Sequence, residues 1–135
     1  RKYYGVGTLV EQQERERRMN LKSILSLTEK KSTDELIKLI KTEFKKGKKS
    51  SYDVSEGTIN SLGYRLMSQG KDAEALKVFK LNTKLYPKGF NTYDSYGECL
   101  LKLGETKKGT KAYKRSLELN PENENASKIL AEMDK

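Results

Sequence analysis

The chain has 135 residues, 34% hydrophobic and 35% charged, with a formal net charge of +9. By length it is one ordinary domain, and its polarity suits an architecture with a thin core and much surface per residue. It has no histidine and one cysteine, which excludes His-based triads, His metal sites, thiolate zinc sites and an internal disulfide framework.

No apolar run approaches the ~20 residues of a membrane span, and no signal-peptide pattern opens the sequence. The charge is unevenly placed. Residues 1–52 carry 14 basic and 7 acidic side chains, whereas residues 53–135 carry 14 and 12. The first third therefore supplies most of the basic character.

In chain order, residues 1–8 carry no helix signal and read as a tail or as the join to an upstream region. From about Leu9 the residues are strong helix formers, with Glu11/Arg15 and Glu14/Arg18 in the favourable i,i+4 order. Leu21, Ile24, Leu25 and Thr28 add an apolar face at helical spacing, so one long helix is expected to about Lys30. Ser32-Thr33-Asp34-Glu35 has the form of a capping box. The stripe Leu36, Ile37, Ile40 and Phe44 follows, and Gly47 closes the helix. Lys45, Lys46, Lys48 and Lys49 crowd that helix end, where cations complement the helix dipole by a few tenths to ~1 kcal/mol.

Asp53-Val54-Ser55-Glu56 reads as a second capping box. It is expected to open a helix to Met67 or Ser68, followed by a turn at Gln69-Gly70 and a helix from about Asp72 to Tyr86. The next pair should begin at Asn91, turn at Gly104 and run from Glu105 to Leu119. Asn120-Pro121-Glu122 then offers an N-cap, a proline at the first helical position and an acid in the first turn of a final helix to about Met133.

An echo at an offset of 34 residues runs through this second part. Thr58/Thr92, Ser61/Ser95, Gly63/Gly97, Leu66/Leu100, Gly70/Gly104, Lys77/Lys111, Lys80/Lys114, Leu85/Leu119 and Pro87/Pro121 all match. A fixed period of this size marks a solenoid, whose units bury their apolar faces only against neighbours.

The matched residues resemble the tetratricopeptide repeat, whose pattern is an aromatic, Leu-Gly, an aromatic or Leu, then Ala, Phe and Pro. One unit supplies Ile59, Leu62-Gly63, Leu66, Gly70, Ala75, Phe79 and Pro87; the next supplies Tyr93, Tyr96-Gly97, Leu100, Gly104, Tyr113 and Pro121. Gly109 stands where the family prefers Ala. A helix-interior Gly costs ~1 kcal/mol against Ala, so either tight packing or local weakness is expected there.

The resemblance implies an all-α helix-turn-helix solenoid, a right-handed superhelix of about five main helices plus a C-terminal cap. Two clear repeats (56–89 and 90–123 by register) lie within residues 53–120, and 121–135 form the capping helix. Two units fall short of the roughly three that stability needs, so residues 9–52 are read as a degenerate leading helix pair. Residues 20–135 are also similar to the repeat tails of certain bacterial serine hydrolases, of the β-lactamase or penicillin-binding-protein type, and of some α/β-hydrolase-type esterases. That similarity implies a catalytic domain upstream of Arg1.

In the family the first helix of each unit lines a concave groove. By register its exposed positions are Asn60, Tyr64 and Met67, then Asp94, Glu98, Leu101 and Lys102, with Lys128 and Glu132 as counterparts on the last helix. Two readings stand side by side there: a groove for an extended peptide or a helix, or ordinary solvated helix faces. The family's clamp for chaperone tails needs Lys and Asn at matched groove positions. Asn60 is followed by Tyr64 and the second unit offers acids, so that clamp is not expected.

No enzyme, cofactor or metal site is expected in this chain. Asp94 and Glu98 lie one helical turn apart, but nothing completes an acid/base or metal site around them. Ser68-Gln69-Gly70-Lys71 has the Ser-x-x-Lys spacing of penicillin-recognising enzymes but spans a turn and lacks its companion motifs. Cys99 reads as a small core residue, and Asn125-Ala126-Ser127 falls within an expected helix. The alternative function is anion or nucleic-acid binding by Lys45, Lys46, Lys48 and Lys49. The leader has few interleaved aromatics and many Glu residues, which favours a solvated helix and weighs against nucleic acid as a partner.

Overall fold

A computed structural model describes residues 21–133 of the chain. Six α-helices account for most of them: α1 Thr33–Lys46, α2 Glu56–Ser68, α3 Asp72–Leu85, α4 Phe90–Lys102, α5 Thr106–Leu119 and α6 Glu124–Met133. Helices α2/α3 and α4/α5 pack as hairpins, α3 packs on α4, and α6 closes the end against α5. Gly70 and Gly104 supply the left-handed residue of the two hairpin turns, at φ 78° and 85°.

The expected helix to Lys30 is not formed over residues 21–30; its part before residue 21 lies outside the described residues. Instead Lys22–Ser23 (β1) pairs in parallel with Tyr52–Asp53 (β2), and a 3-10 turn spans Ile24–Leu27. Two competitions explain the change. The hydroxyls of Ser26 and Thr28 donate to the carbonyls of Ser23 (2.8 Å) and Leu25 (3.0 Å), an alternative to helical bonding. The Leu25 carbonyl also accepts from Arg65 Nη1 at 2.9 Å, across 40 residues. Ile24 remains fully buried in the core, so the apolar spacing was meaningful although the conformation is different.

Helix α1 is capped as its sequence predicts. Ser32 Oγ accepts from the Glu35 backbone N–H at 3.2 Å, and Glu35 Oε1 accepts from that of Ser32 at 2.9 Å. At α2 the cap is Ser55 and not Asp53. Ser55 Oγ accepts from Thr58 N, while the Asp53 carboxylate takes the Ser55 N–H (3.0 Å) and the Thr58 hydroxyl (2.6 Å) from one turn earlier.

The last helix begins at Glu124, three residues later than Pro121. Asn120 N–H still bonds to Ser116 O and ends α5, so the Asn-Pro-Glu run forms a turn between helices. Asn123 caps α6 by accepting from Ala126 N at 3.3 Å, and its amide is anchored on Ser116 Oγ at 2.9 Å.

The helices α1, α3 and α5 are each 14 residues long and share one burial register. Their fourth residues are Leu36, Ala75 and Gly109, and their eighth are Ile40, Phe79 and Tyr113, all buried. The eleventh residues, Glu43, Asn82 and Ser116, are buried and polar. Asn82 Nδ2 donates to Glu56 O (3.1 Å) and Ser116 Oγ to Phe90 O (2.8 Å), each reaching the first residue of its unit's leading helix. By this register α1 corresponds to α3 and α5, the second helices of the two repeats. The 34-residue echo does not reach it because α1 and α2 are joined by residues 47–55, whereas α3 and α4 are joined by 86–89.

Gly63 is required by close approach: a Cβ there would lie 2.6 and 2.8 Å from ring carbons of Phe79. At Gly109 the packing is tight. A Cβ would meet Leu101 Cδ2 at 2.6 Å and Gly97 O at 3.2 Å, so Leu101 occupies the space that the family's Ala would use.

Candidate partner-binding groove

The leading helices α2, α4 and α6 carry the positions singled out in the sequence. Tyr64 is half-buried, with its ring edge-on to Phe79 at 5.1 Å. Its hydroxyl donates to Glu98 Oε1 at 2.9 Å and lies 3.2 Å from Ser95 Oγ. Burial and the neighbouring Glu98 carboxylate push the Tyr64 phenol up to about 12.

Asp94, one turn before Glu98, is held from α6 and its cap. Asn125 Nδ2 donates to its two oxygens at 2.9 and 3.1 Å, and Asn123 Nδ2 to Oδ2 at 2.9 Å. Tyr64, Asp94 and Glu98 thus come together with Ser95, Asn123 and Asn125. Among the described residues the donors to these two carboxylates are all neutral, so they orient them without cancelling their charge.

The other positions fare differently. Met67 is not on the groove surface; it is 9% exposed and belongs to the core with Leu62 and Leu66. Leu101 is half-buried over Gly109. Lys102 is drawn towards the α2–α3 hairpin, where its Nζ lies 3.2 Å from Asp72 Oδ1; the pair is close but not aligned as a hydrogen bond. Asn60 is half-buried, and its Oδ1 has no hydrogen-bond partner among the described residues. Lys128 and Glu132 are exposed on α6.

Lys45, Lys46, Lys48 and Lys49 stand away from this groove, at the end of α1 and in the 3-10 turn Gly47–Lys49 that follows it. Lys46 Nζ pairs with Glu43 Oε2 at 2.7 Å, and Glu43 Oε1 accepts from Ser50 Oγ at 2.8 Å. These two partners hold the Glu43 carboxyl below its ordinary range. Part of the cluster's charge is therefore used to fasten the connection to α2.

The described residues contain no group of three or more His, Cys, Asp or Glu side chains placed to hold a metal. None of their helices is long and apolar enough to cross a membrane. Ser68 ends α2 and Lys71 precedes α3, so the Ser-x-x-Lys spacing spans the hairpin turn. Cys99 is fully buried, its Sγ 3.5 Å from Asp72 O, and burial raises the thiol to about 11.

Asn123 and Asn125, the amides that hold Asp94, were not among the positions singled out in the sequence. Asn125 drew notice only as part of an Asn-Ala-Ser triplet. The available signal was two amides spaced two apart at the start of a helix, which suits capping by Asn123 combined with contact of both to a facing acid.

No protein-family model and no curated protein matches the chain. Among solved structures, the first tetratricopeptide-repeat domain of Spaghetti (RPAP3), bound to the HSP90 peptide SRMEEVD, is similar. The two share 22% identity and a TM-score of 0.58 over 86% of this chain and 95% of that one. The chain therefore has the fold of a tetratricopeptide-repeat solenoid, all-α apart from the short β1–β2 pair.

Proposed function

We propose that this chain is a protein-interaction module that takes a peptide or a helix in the groove lined by α2, α4 and α6. The observation that carries this reading is the carboxylate pair Asp94 and Glu98, held by Asn123, Asn125 and Tyr64 with no cation among their hydrogen-bonding partners in the described residues. Ready-made acceptors with uncompensated charge suit a segment that presents Lys or Arg. That the similar domain is bound to a peptide supports peptide recognition by this fold. That peptide carries two Glu and an Asp, however, so this chain's groove suits ligands of the opposite sign.

The test is a peptide array containing basic, neutral and acidic segments, SRMEEVD among them, probed with the protein and with the double variant Tyr64→Phe/Glu98→Gln. Enrichment of Lys- or Arg-bearing peptides, lost in a double variant that still folds, is expected. Unaltered capture by the double variant would move the site off the groove, and preferential capture of SRMEEVD would reverse its sign.

A finer reading is that the module is the accessory tail of a bacterial hydrolase. It rests on Asn60–Tyr64, Ala75 to Tyr86-Pro87, Tyr93–Glu98 and Leu117–Pro121 as they stand in the sequence. The reading frame upstream of Arg1 decides it: a serine-hydrolase domain there is expected, and an unrelated domain removes the idea.

A further inference from the structure

Charge is divided between the two layers of helices. The leading helices α2, α4 and α6 carry five acids and three cations, whereas α1, α3 and α5 carry twelve cations and six acids. On those three outer helices the sixth and ninth residues are lysine every time: Lys38 and Lys41, Lys77 and Lys80, Lys111 and Lys114. All six are exposed. Lys77 meets Asp34 at 3.4 Å through two largely solvated side chains; the other five have no ion-pair partner among the described residues. These cations are spread from residue 38 to residue 114, and only the common register of the helices puts them on equivalent positions of consecutive units.

Two hollows lie along these helices. A cleft of about 220 Å³ between α1 and α3 is lined by Ile37, Lys41, Lys77, Lys80, Leu81 and Lys84. A hollow of about 530 Å³ at α4 and α5 has the half-buried Tyr93 and Tyr96 beside Lys108, Lys111, Lys114 and Arg115; Glu118 also lines it and pairs with Arg115 at 3.5 Å, leaving the three lysines as its unpaired cations among the described residues. The Arg115 guanidinium stands 5.9 Å from the Tyr93 ring centroid.

From this arrangement we infer that the outer face binds single-stranded nucleic acid, independently of the groove. A phosphodiester strand carries one negative charge per nucleotide whatever its sequence, and its evenly repeated charge matches cations that recur at one helical register. Single-strand sites combine such a cationic track with aromatic rings on which bases stack, as Tyr93 and Tyr96 provide here. An acidic peptide has no comparable need for charge repeated at one register over three successive outer helices.

The experiment is fluorescence anisotropy with a labelled oligothymidine of about 20 nucleotides across a salt series. Six lysine contacts give a slope of log K against log salt near about −4, which is roughly a 300-fold loss from 50 to 200 mM salt. The variant Lys77→Gln/Lys80→Gln/Lys111→Gln/Lys114→Gln, folded by circular dichroism, is expected to bind at least about tenfold more weakly at low salt. Its slope should be shallower by about 3.

Absence of binding at low salt, or binding that ignores salt, overturns the proposal. So does retention of binding by the quadruple variant with loss in Lys45→Gln/Lys48→Gln/Lys49→Gln, which would place the site at the end of α1. Displacement of the oligonucleotide by polyglutamate at matched charge would assign the face to acidic peptides instead.

Discussion

Tyr64 and Glu98 hold the same place in consecutive units, 34 residues apart, and the hydroxyl of the first is bonded to the carboxylate of the second at 2.9 Å. Neighbouring units are therefore joined through the two residues proposed to meet a partner. A substitution there acts on stability and on binding together, so the two must be measured separately.

Tyr64→Phe keeps the ring against Phe79 and removes only the hydroxyl. The bond is to a charged acceptor but exposed to solvent, so a loss of about 1 kcal/mol or less is expected in urea denaturation. The phenol pKa is raised to about 12 in the folded chain, above its ordinary value of 10. The unfolded chain thus loses this proton first, and the stabilisation is complete below pH 10 and lost as pH rises towards 12. Tyr64→Phe should show a shallower alkaline decline than the parent. The decline will not vanish, because burial also raises Tyr86, Tyr96 and Tyr113.

Two glycines of α2 make a controlled comparison. Gly63→Ala drives a methyl into the Phe79 ring and is expected to destabilise by about 1–3 kcal/mol. Gly57 has open space around an added Cβ and no unusual φ, so Gly57→Ala is expected to stabilise by about 0.4–1 kcal/mol. Thermal melts of the two variants should move in opposite directions. A neutral Gly63→Ala would mean that Phe79 can leave its site.

Cys99 should be nearly inert in the folded protein. With the thiol raised to about 11, its thiolate fraction at pH 8 is about two orders of magnitude below that of an unfolded chain. Labelling by an aromatic disulfide reagent should be slow at pH 8 and become rapid in urea. Rapid labelling without denaturant would show that α4 opens locally.

Glu43 marks the acid limit. Lys46 and Ser50 depress its pKa, so its contribution is present above pH 4.5, the ordinary value, and is lost as pH falls through the lower folded value. Glu43→Gln should be less stable at neutral pH and show a shallower loss below pH 4.5. Parallel acid titrations followed by circular dichroism check this.

What the sequence revealed follows the range of the interactions. The hairpins α2/α3 and α4/α5 were readable to within one residue at most ends because turn glycines, prolines and the 34-residue echo are local signals. The Ser32–Glu35 cap was readable for the same reason. Residues 21–30 were not, since the Leu25 carbonyl is taken by Arg65 from 40 residues away. The start of α6 depends on Asn123 reaching Ser116 and Asp94, which no local pattern records. Met67 was misplaced because the period locates a helix face but not how far neighbouring helices wrap around it. At the groove, Tyr64, Asp94 and Glu98 were named without the amides that hold them.

The bonds from Asn82 to Glu56 O and from Ser116 to Phe90 O each span 26 residues. Helices α3 and α5 thereby each find the start of their own repeat's leading helix without reference to the other repeat. Such a chain can lengthen only in whole modules. A copied 34-residue segment brings its own tie, while a single residue lost within α3 ahead of Asn82 turns that side chain about 100° away from its carbonyl. Growth by duplication is tolerated, and growth by slippage is not.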